Sequence, residues 1–248
     1  MTIIALIVFI FSIIIIIMAS AYSIPIVKMV LFDKKLYYTS DPEILSALYP
    51  KALELAIKNE DTQALKNIAT NPATPENILY EIYKEATTEK IPNREERLNI
   101  LYFLAINSAT PTELLYDLYE YSLTTNTTGQ FGYEHVLSGL SYNENTPIEI
   151  LINLSKSPNK YVRGNVAWNN NTPAETLIEL SEDSDQNVRS GVARNINTPV
   201  EIIIKLSKDS DPRVRADVAW GINTPENILV ELSKDENEMV RNNVKWRR

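Results

Sequence analysis

Two hydrophobic patterns divide this chain of 248 residues. Near its start apolar side chains run without any period: residues 3–21 hold no charged group, and the first basic residue is Lys28. From residue 41 onward apolar positions instead recur in short helical sets. Leu151 and Leu154 return as Leu177 and Leu180, Ile203 and Leu206, then Leu229 and Leu232; Val162 and Val166 return with the same step. That step is 26 residues, and it is kept by Asn-Thr-Pro at 145–147, 171–173, 197–199 and 223–225. Spacings of three and four mark one buried face per helix. A fixed period of this length predicts a stack of like units rather than a single globular core.

Each unit reads as two helices. The first is predicted to start at the Thr of Asn-Thr-Pro (Thr146, Thr172, Thr198, Thr224, and Thr110 upstream). There Thr, Pro and a following Glu such as Glu149, Glu175 or Glu201 have the spacing of a capping box with Pro at the first helical position. The second helix is predicted to be shorter and to start at Asn159, Asp185, Asp211 and Asn237, all good N-cap types. A column of Asn71, Asn107, Asn143, Asn169, Asn195 and Gly221 closes it, and exchange of Asn with Gly points to a left-handed backbone position. Looser copies at Thr74-Pro75 and Thr110-Pro111, with a still earlier start at Asp41-Pro42-Glu43, bring the total to seven units. Their insertions, residues 86–96 and 122–135, are expected to project from one edge as an acidic ridge or to be simple loop growth.

The 26-residue pattern V-R-x-x-V-A-x-N-x-N-T-P-x-E-x-L-x-x-L-x-x-D resembles the leucine-rich repeat variant family, closely over residues 141–248 and more weakly over 41–140. The resemblance implies an all-α, right-handed α-solenoid in which α-helices alternate with shorter, 3₁₀-like helices, akin to HEAT repeats. Some members of that family add a Cys-rich iron–sulfur module; this chain has no Cys. A shared fold of this kind leaves activity open.

The apolar start has the length of a membrane span: nineteen residues from 3 to 21, enough helix to cross a hydrocarbon core about 30 Å thick. We therefore divide the chain into a transmembrane anchor (1–23), a juxtamembrane segment (24–40), enlarged early repeats (41–140) and regular repeats (141–248). Lys28, Lys34 and Lys35 all follow the span, which orients the N-terminus outside and the repeats in the cytoplasm. The alternative is a signal peptide cleaved after Ala21 at Ala19-Ser20-Ala21, although the basic segment such peptides carry is missing.

Composition narrows the function. The net charge is −8, from 24 basic and 32 acidic residues, without the basic footprint of a nucleic-acid binder. His135 is the single histidine, so no His-based triad or His-rich metal site can be assembled; no cofactor, metal or catalytic residue is assigned. Two columns stand out. Arg163, Arg189, Arg215 and Arg241 recur with Asp183, Asp209 and Asp235, either as an ion-pair ladder between helices or as an anion-binding stripe. Trp168, Arg194, Trp220 and Trp246 recur two residues after the buried Val column, either covering the junctions with Arg194 stacked between indoles or forming a partner-binding stripe. The basic end RNNVKWRR (241–248) is a solvated cap or a contact with acidic lipid or a partner. These readings converge on a membrane-anchored repeat scaffold that binds an unidentified protein without catalysis; the alternative is an accessory subunit embedded in a larger membrane complex.

Overall fold

The computed structural model describes residues 36, 38–58, 61–88, 90–125 and 133–247. The anchor expected at 1–23 and most of the segment 24–40 lie outside the described residues, as does most of the second insertion (126–132). Among the described residues there is no strand, and no helix is long and apolar enough to cross a membrane. The chain divides after Asn93 into two compact units.

The first unit holds α1 (Pro42–Lys58), α2 (Gln63–Thr70) and α3 (Glu76–Thr87). Leu36 is fully buried in it, and the Asn71 side-chain amide donates to the carbonyls of Leu36 (2.9 Å) and Thr39 (2.8 Å). The residues just before α1 are thus part of the packed unit.

The second unit is an α-solenoid of α4 (Arg94–Ile106), α5 (Thr112–Thr125), α6 (Tyr133–Tyr142), α7 (Ile148–Leu154), α8 (Lys160–Trp168), α9 (Ala174–Leu180), α10 (Gln186–Arg194), α11 (Val200–Leu206), α12 (Pro212–Trp220), α13 (Glu226–Leu232) and α14 (Glu238–Arg247). The even-numbered helices pack directly on one another, α4 to α6 and on to α14, and form the closely stacked row. The odd-numbered helices form the looser row. Leu151, Leu177, Ile203 and Leu229 from one row and Val162, Val188, Val214 and Val240 from the other fill the space between them. The ends of both insertions are helix: α3 and α5 run to 12 and 14 residues where α7, α9, α11 and α13 have seven.

The relative helix lengths are the reverse of the sequence expectation. In the regular repeats the second helix has nine or ten residues and the first has seven, and both are α-helical. The first helix is closed early by Ser155, Ser181, Ser207 and Ser233, whose hydroxyls each donate to the carbonyl three residues back at 2.7 Å. The second-helix caps form as expected. Asn159, Asp185, Asp211 and Asn237 accept the backbone N–H two residues on at 2.8–2.9 Å.

The capping box does not form. No side chain caps α7, α9, α11 or α13, and each helix begins after the Pro, whose carbonyl takes the first helical N–H bonds. The Thr hydroxyl turns the other way. Thr146, Thr172, Thr198 and Thr224 donate to the carbonyls of Leu140, Val166, Val192 and Val218 at 2.5–2.7 Å, and Thr74 and Thr110 do the same to Ile68 and Leu104. The reason is burial. The last carbonyls of the second helix are shut away from water at the junction, where an unpaired acceptor is costly. The first N–H groups of the next helix belong to exposed residues such as Ile148 and Glu149, and water can serve them.

The asparagine column is not left-handed either. Asn71, Asn169 and Asn195 have φ between −72° and −69° with extended ψ. Each is kept for its side chain. Asn169 Nδ2 donates to the carbonyls of Ser141 (3.1 Å) and Asn143 (3.0 Å) in the preceding repeat, and Asn195 Nδ2 to those of Ala167 (2.8 Å) and Asn169 (2.9 Å). Asn143 does the same to Ala105 and Asn107. Their Oδ1 atoms accept the N–H two residues on, which makes the turn. At Gly221, φ is −59°, so the glycine is not there for positive φ. A Cβ would stand 2.6 Å from the Ala193 carbonyl, so this copy brings the backbone too close for any side chain. One period later Arg247 takes up the role: its guanidinium donates to the carbonyls of Ala219 (3.2 Å) and Gly221 (2.6 Å).

Asn169→Ala strands two carbonyls and one N–H at a buried junction, and an expected loss of about 3 kcal/mol follows from roughly 1 kcal/mol or more per unpaired group. Thr172→Ser keeps the hydroxyl and is expected to cost less than about 1 kcal/mol, whereas Thr172→Ala costs about 1–3 kcal/mol. Urea unfolding of the three variants checks the order.

Candidate interaction surface

The closely stacked row carries the aromatic column. Trp168, Trp220 and Trp246 are 49%, 43% and 79% exposed, at the C-terminal ends of α8, α12 and α14. Arg194 stands between the first two, its guanidinium carbon 5.4 Å from the Trp168 ring centre and 5.8 Å from that of Trp220. Asp217 on α12 fixes it there with a 3.1 Å bond from Nη1. The Trp168 indole lies over Gly191 on the next helix, where a Cβ would be 3.0 Å from Cδ1 and 2.8 Å from the Ala167 Cβ. The ring therefore rests partly on backbone and stays half-exposed. Cation–π contact holds the Trp–Arg–Trp run in order without burying it.

Sequence reasoning missed the next member of this column. Tyr142 precedes Trp168 by one period and is 69% exposed; carrying the step of 26 one copy upstream finds it. Tyr142, Trp168, Ile106, Glu144, Asn145 and Asn165 line a pocket of about 300 Å³ between α6 and α8. Ile196 and Ile222, each two residues past the column, add exposed aliphatic surface beside it. Nothing in their own helix pattern signals this, because both lie in the turns after α10 and α12.

The arginine column is elsewhere on the same helices. Arg163 holds Asp183 with Nε (2.6 Å) and Nη2 (2.9 Å); Arg189 and Asp209, and Arg215 and Asp235, repeat the two-pronged contact at 2.7 and 2.9 Å. Each arginine also donates to a backbone carbonyl of its own repeat, Ser157, Asp183 and Asp209 respectively. Arg241 makes this carbonyl contact to Asp235 and Glu236. The paired side chains are only 8–16% exposed, so these are not the surface pairs that contribute next to nothing. Burial pushes the Asp183 and Asp209 carboxyls up, but the arginine hydrogen bonds, the N–H two residues on and the guanidinium charge together hold them below the usual range. Hydrogen bonding to Arg215 is the leading cause of the same depression at Asp235. With their donors committed to carboxylates and carbonyls, Arg163, Arg189 and Arg215 lock neighbouring repeats together.

Other candidate chemistry is sparse. His135 is exposed and meets Tyr102 edge-on, with ring centres 6.5 Å apart. Among the described residues no three His, Cys, Asp or Glu side chains are grouped to hold a metal ion.

No family model matches the chain, and no curated protein matches it. Solved structures do. A leucine-rich repeat variant with a novel repetitive structural motif aligns over 84% of this chain and 77% of its own length, at 16% identity and a TM-score of 0.50. An engineered protein aligns over 86% and 71%, at 15% identity and a TM-score of 0.40. A designed armadillo repeat protein in complex with the peptide (KR)4 aligns over 87% and 95%, at 13% identity and a TM-score of 0.26. The first likeness shows the fold: the chain is an α-helical repeat protein built like a leucine-rich repeat variant.

A carboxyl depressed in the fold binds its proton less readily than in the unfolded chain, so stability rises with pH through that range. The contribution of Asp183, Asp209 and Asp235 is complete above the ordinary carboxylate value of about 4 and is lost as pH falls through the lower folded values. The urea midpoint is therefore expected to hold from pH 7 to 5 and to drop on acidification below 4. Asp209→Ala leaves Arg189 half-buried and unpaired, with an expected cost of about 3 kcal/mol at pH 7 and a flatter acid limb.

Proposed function

We propose that this protein is a membrane-anchored, right-handed solenoid scaffold that binds a protein partner along the row Tyr142, Trp168, Arg194, Trp220 and Trp246, with no chemistry of its own. The observation that carries the reading is the exposure of three indoles in register, 43–79%, on the second unit, where no buried side-chain N or O atom among the described residues lacks a partner. Exposed Trp is normally avoided on a surface, and Trp, Tyr and Arg dominate the few residues that supply most binding energy. Arg194 is pre-ordered by two rings and Asp217, so little side-chain entropy remains to be lost on binding.

The anchor rests on the uncharged run 3–21, and the placement of the repeats in the cytoplasm rests on the lysines that follow it. Cleavage after Ala21 with export is the competing outcome. N-terminal sequencing of the mature protein separates the two, and protease protection of sealed vesicles is expected to leave the repeats accessible from the cytoplasmic side only.

Trp220→Ala is expected to weaken the partner by about 2 kcal/mol or more, the scale of a hot spot, while the melting temperature barely moves. Quantitative crosslinked capture from native membranes, run beside a melting curve, tests this. Unchanged capture with a stability loss of about 3 kcal/mol would make the indole a packing residue and end the reading.

A further inference from the structure

The looser row of helices carries a second apolar stripe. Ile152, Ile178, Ile204 and Val230 recur at the 26-residue step on α7, α9, α11 and α13, and are 36–44% exposed. Ile148 and Val200, one turn earlier, widen it. Scattered exposed aliphatics are ordinary, but a continuous stripe marks a contact surface.

Charge is divided between the rows. α7, α9, α11 and α13 carry six glutamates and one basic residue, Lys205, which is paired with Glu182. α8, α10, α12 and α14 carry nine basic and two acidic residues. Two of the glutamates beside the stripe, Glu175 and Glu201, have no structural task. The capping box that would have used Glu175 and Glu201 is not formed, both are exposed, and neither has an ion-pair partner among the described residues. Glu149 accepts only from the Tyr116 hydroxyl, at 3.2 Å.

We infer that this acidic, aliphatic stripe docks a partner's amphipathic helix whose apolar seam is flanked by Lys or Arg. A run of aliphatic side chains bordered by carboxylates is matched by a helix that gathers its apolar residues into one seam with basic residues on either side. The glutamates exclude the other occupants: anionic lipid headgroups would be repelled, and a second copy laid stripe to stripe would bring glutamate against glutamate. The stripe lies on the odd-numbered helices, the aromatic row at the C-terminal ends of the even-numbered ones.

The test titrates the full-length chain with a synthetic amphipathic peptide of three heptads, Leu at the seam and Lys beside it, and with the same peptide carrying Glu for Lys. The basic peptide is expected to bind and the acidic one not. Combining Glu175→Lys with Glu201→Lys, both exposed sites, should weaken the basic peptide at least tenfold and admit the acidic one, at an unchanged melting temperature. Ile178→Ser with Ile204→Ser should weaken it similarly, and Trp220→Ala should leave it unmoved. Four results would overturn the inference. These are no binding by the wild-type chain, indifference to the charge reversal, loss of the basic peptide on Trp220→Ala, and a dimer that the Ile178→Ser, Ile204→Ser pair converts to monomer.

Discussion

The structure depends on satisfying backbone carbonyls that the stacking of repeats shuts away from water. Every helix ends with acceptors that lack intrahelical partners, and a solenoid buries such an end at each junction. Here one pentapeptide, Asn-x-Asn-Thr-Pro, meets the requirement at the ends of α6, α8 and α10. Its first Asn reaches back to two carbonyls of the preceding repeat and turns its own chain with Oδ1. Its second Asn reaches another, as Asn145 does to Ser108. Its Thr takes the carbonyl six residues back, and its Pro starts the next helix without an N–H to place. Arg163, Arg189 and Arg215 then tie repeat to repeat through buried carboxylates.

A frame so fully satisfied constrains what remains for function. The asparagines, although polar and recurrent, have their donors and acceptors committed internally, and so do the laddered arginines. What is left over is apolar or aromatic: the indoles and Tyr142 on one row, the aliphatic stripe on the other. Recognition by such a molecule works through desolvated contact area with charge setting the partner's sign, and the two rows carry opposite charge. Repetition adds reach, because each further repeat extends both surfaces by one contact.

Gly191 and Gly221 show how local deviations serve the stack. Gly191 leaves room for the Trp168 indole against the neighbouring helix. Gly221 admits the Ala193 carbonyl where any Cβ would collide, and Arg247 later restores the contacts that an asparagine would have made. The basic stretch 241–248, which by composition resembles a solvated segment, therefore continues the ladder through Arg247.

The sequence by itself determined the period, the two-helix unit, the buried Leu and Val faces and the second-helix caps. All are local: they follow from spacing and from side chains acting within two or three residues. It also brought Trp168, Arg194, Trp220 and Trp246 into one column. Only the tertiary structure decided what the Asn and Thr side chains are for. A Thr-Pro-x-Glu stretch has the same local chemistry whether Thr caps the helix ahead or the helix behind, and the choice falls to whichever end is cut off from water. The Asn column likewise reads as a backbone preference until its partners, 26 and 28 residues away, are in place. Tertiary packing also decided which recurring residues stay exposed, because a step of 26 marks equivalence between positions without saying on which side of the stack they fall.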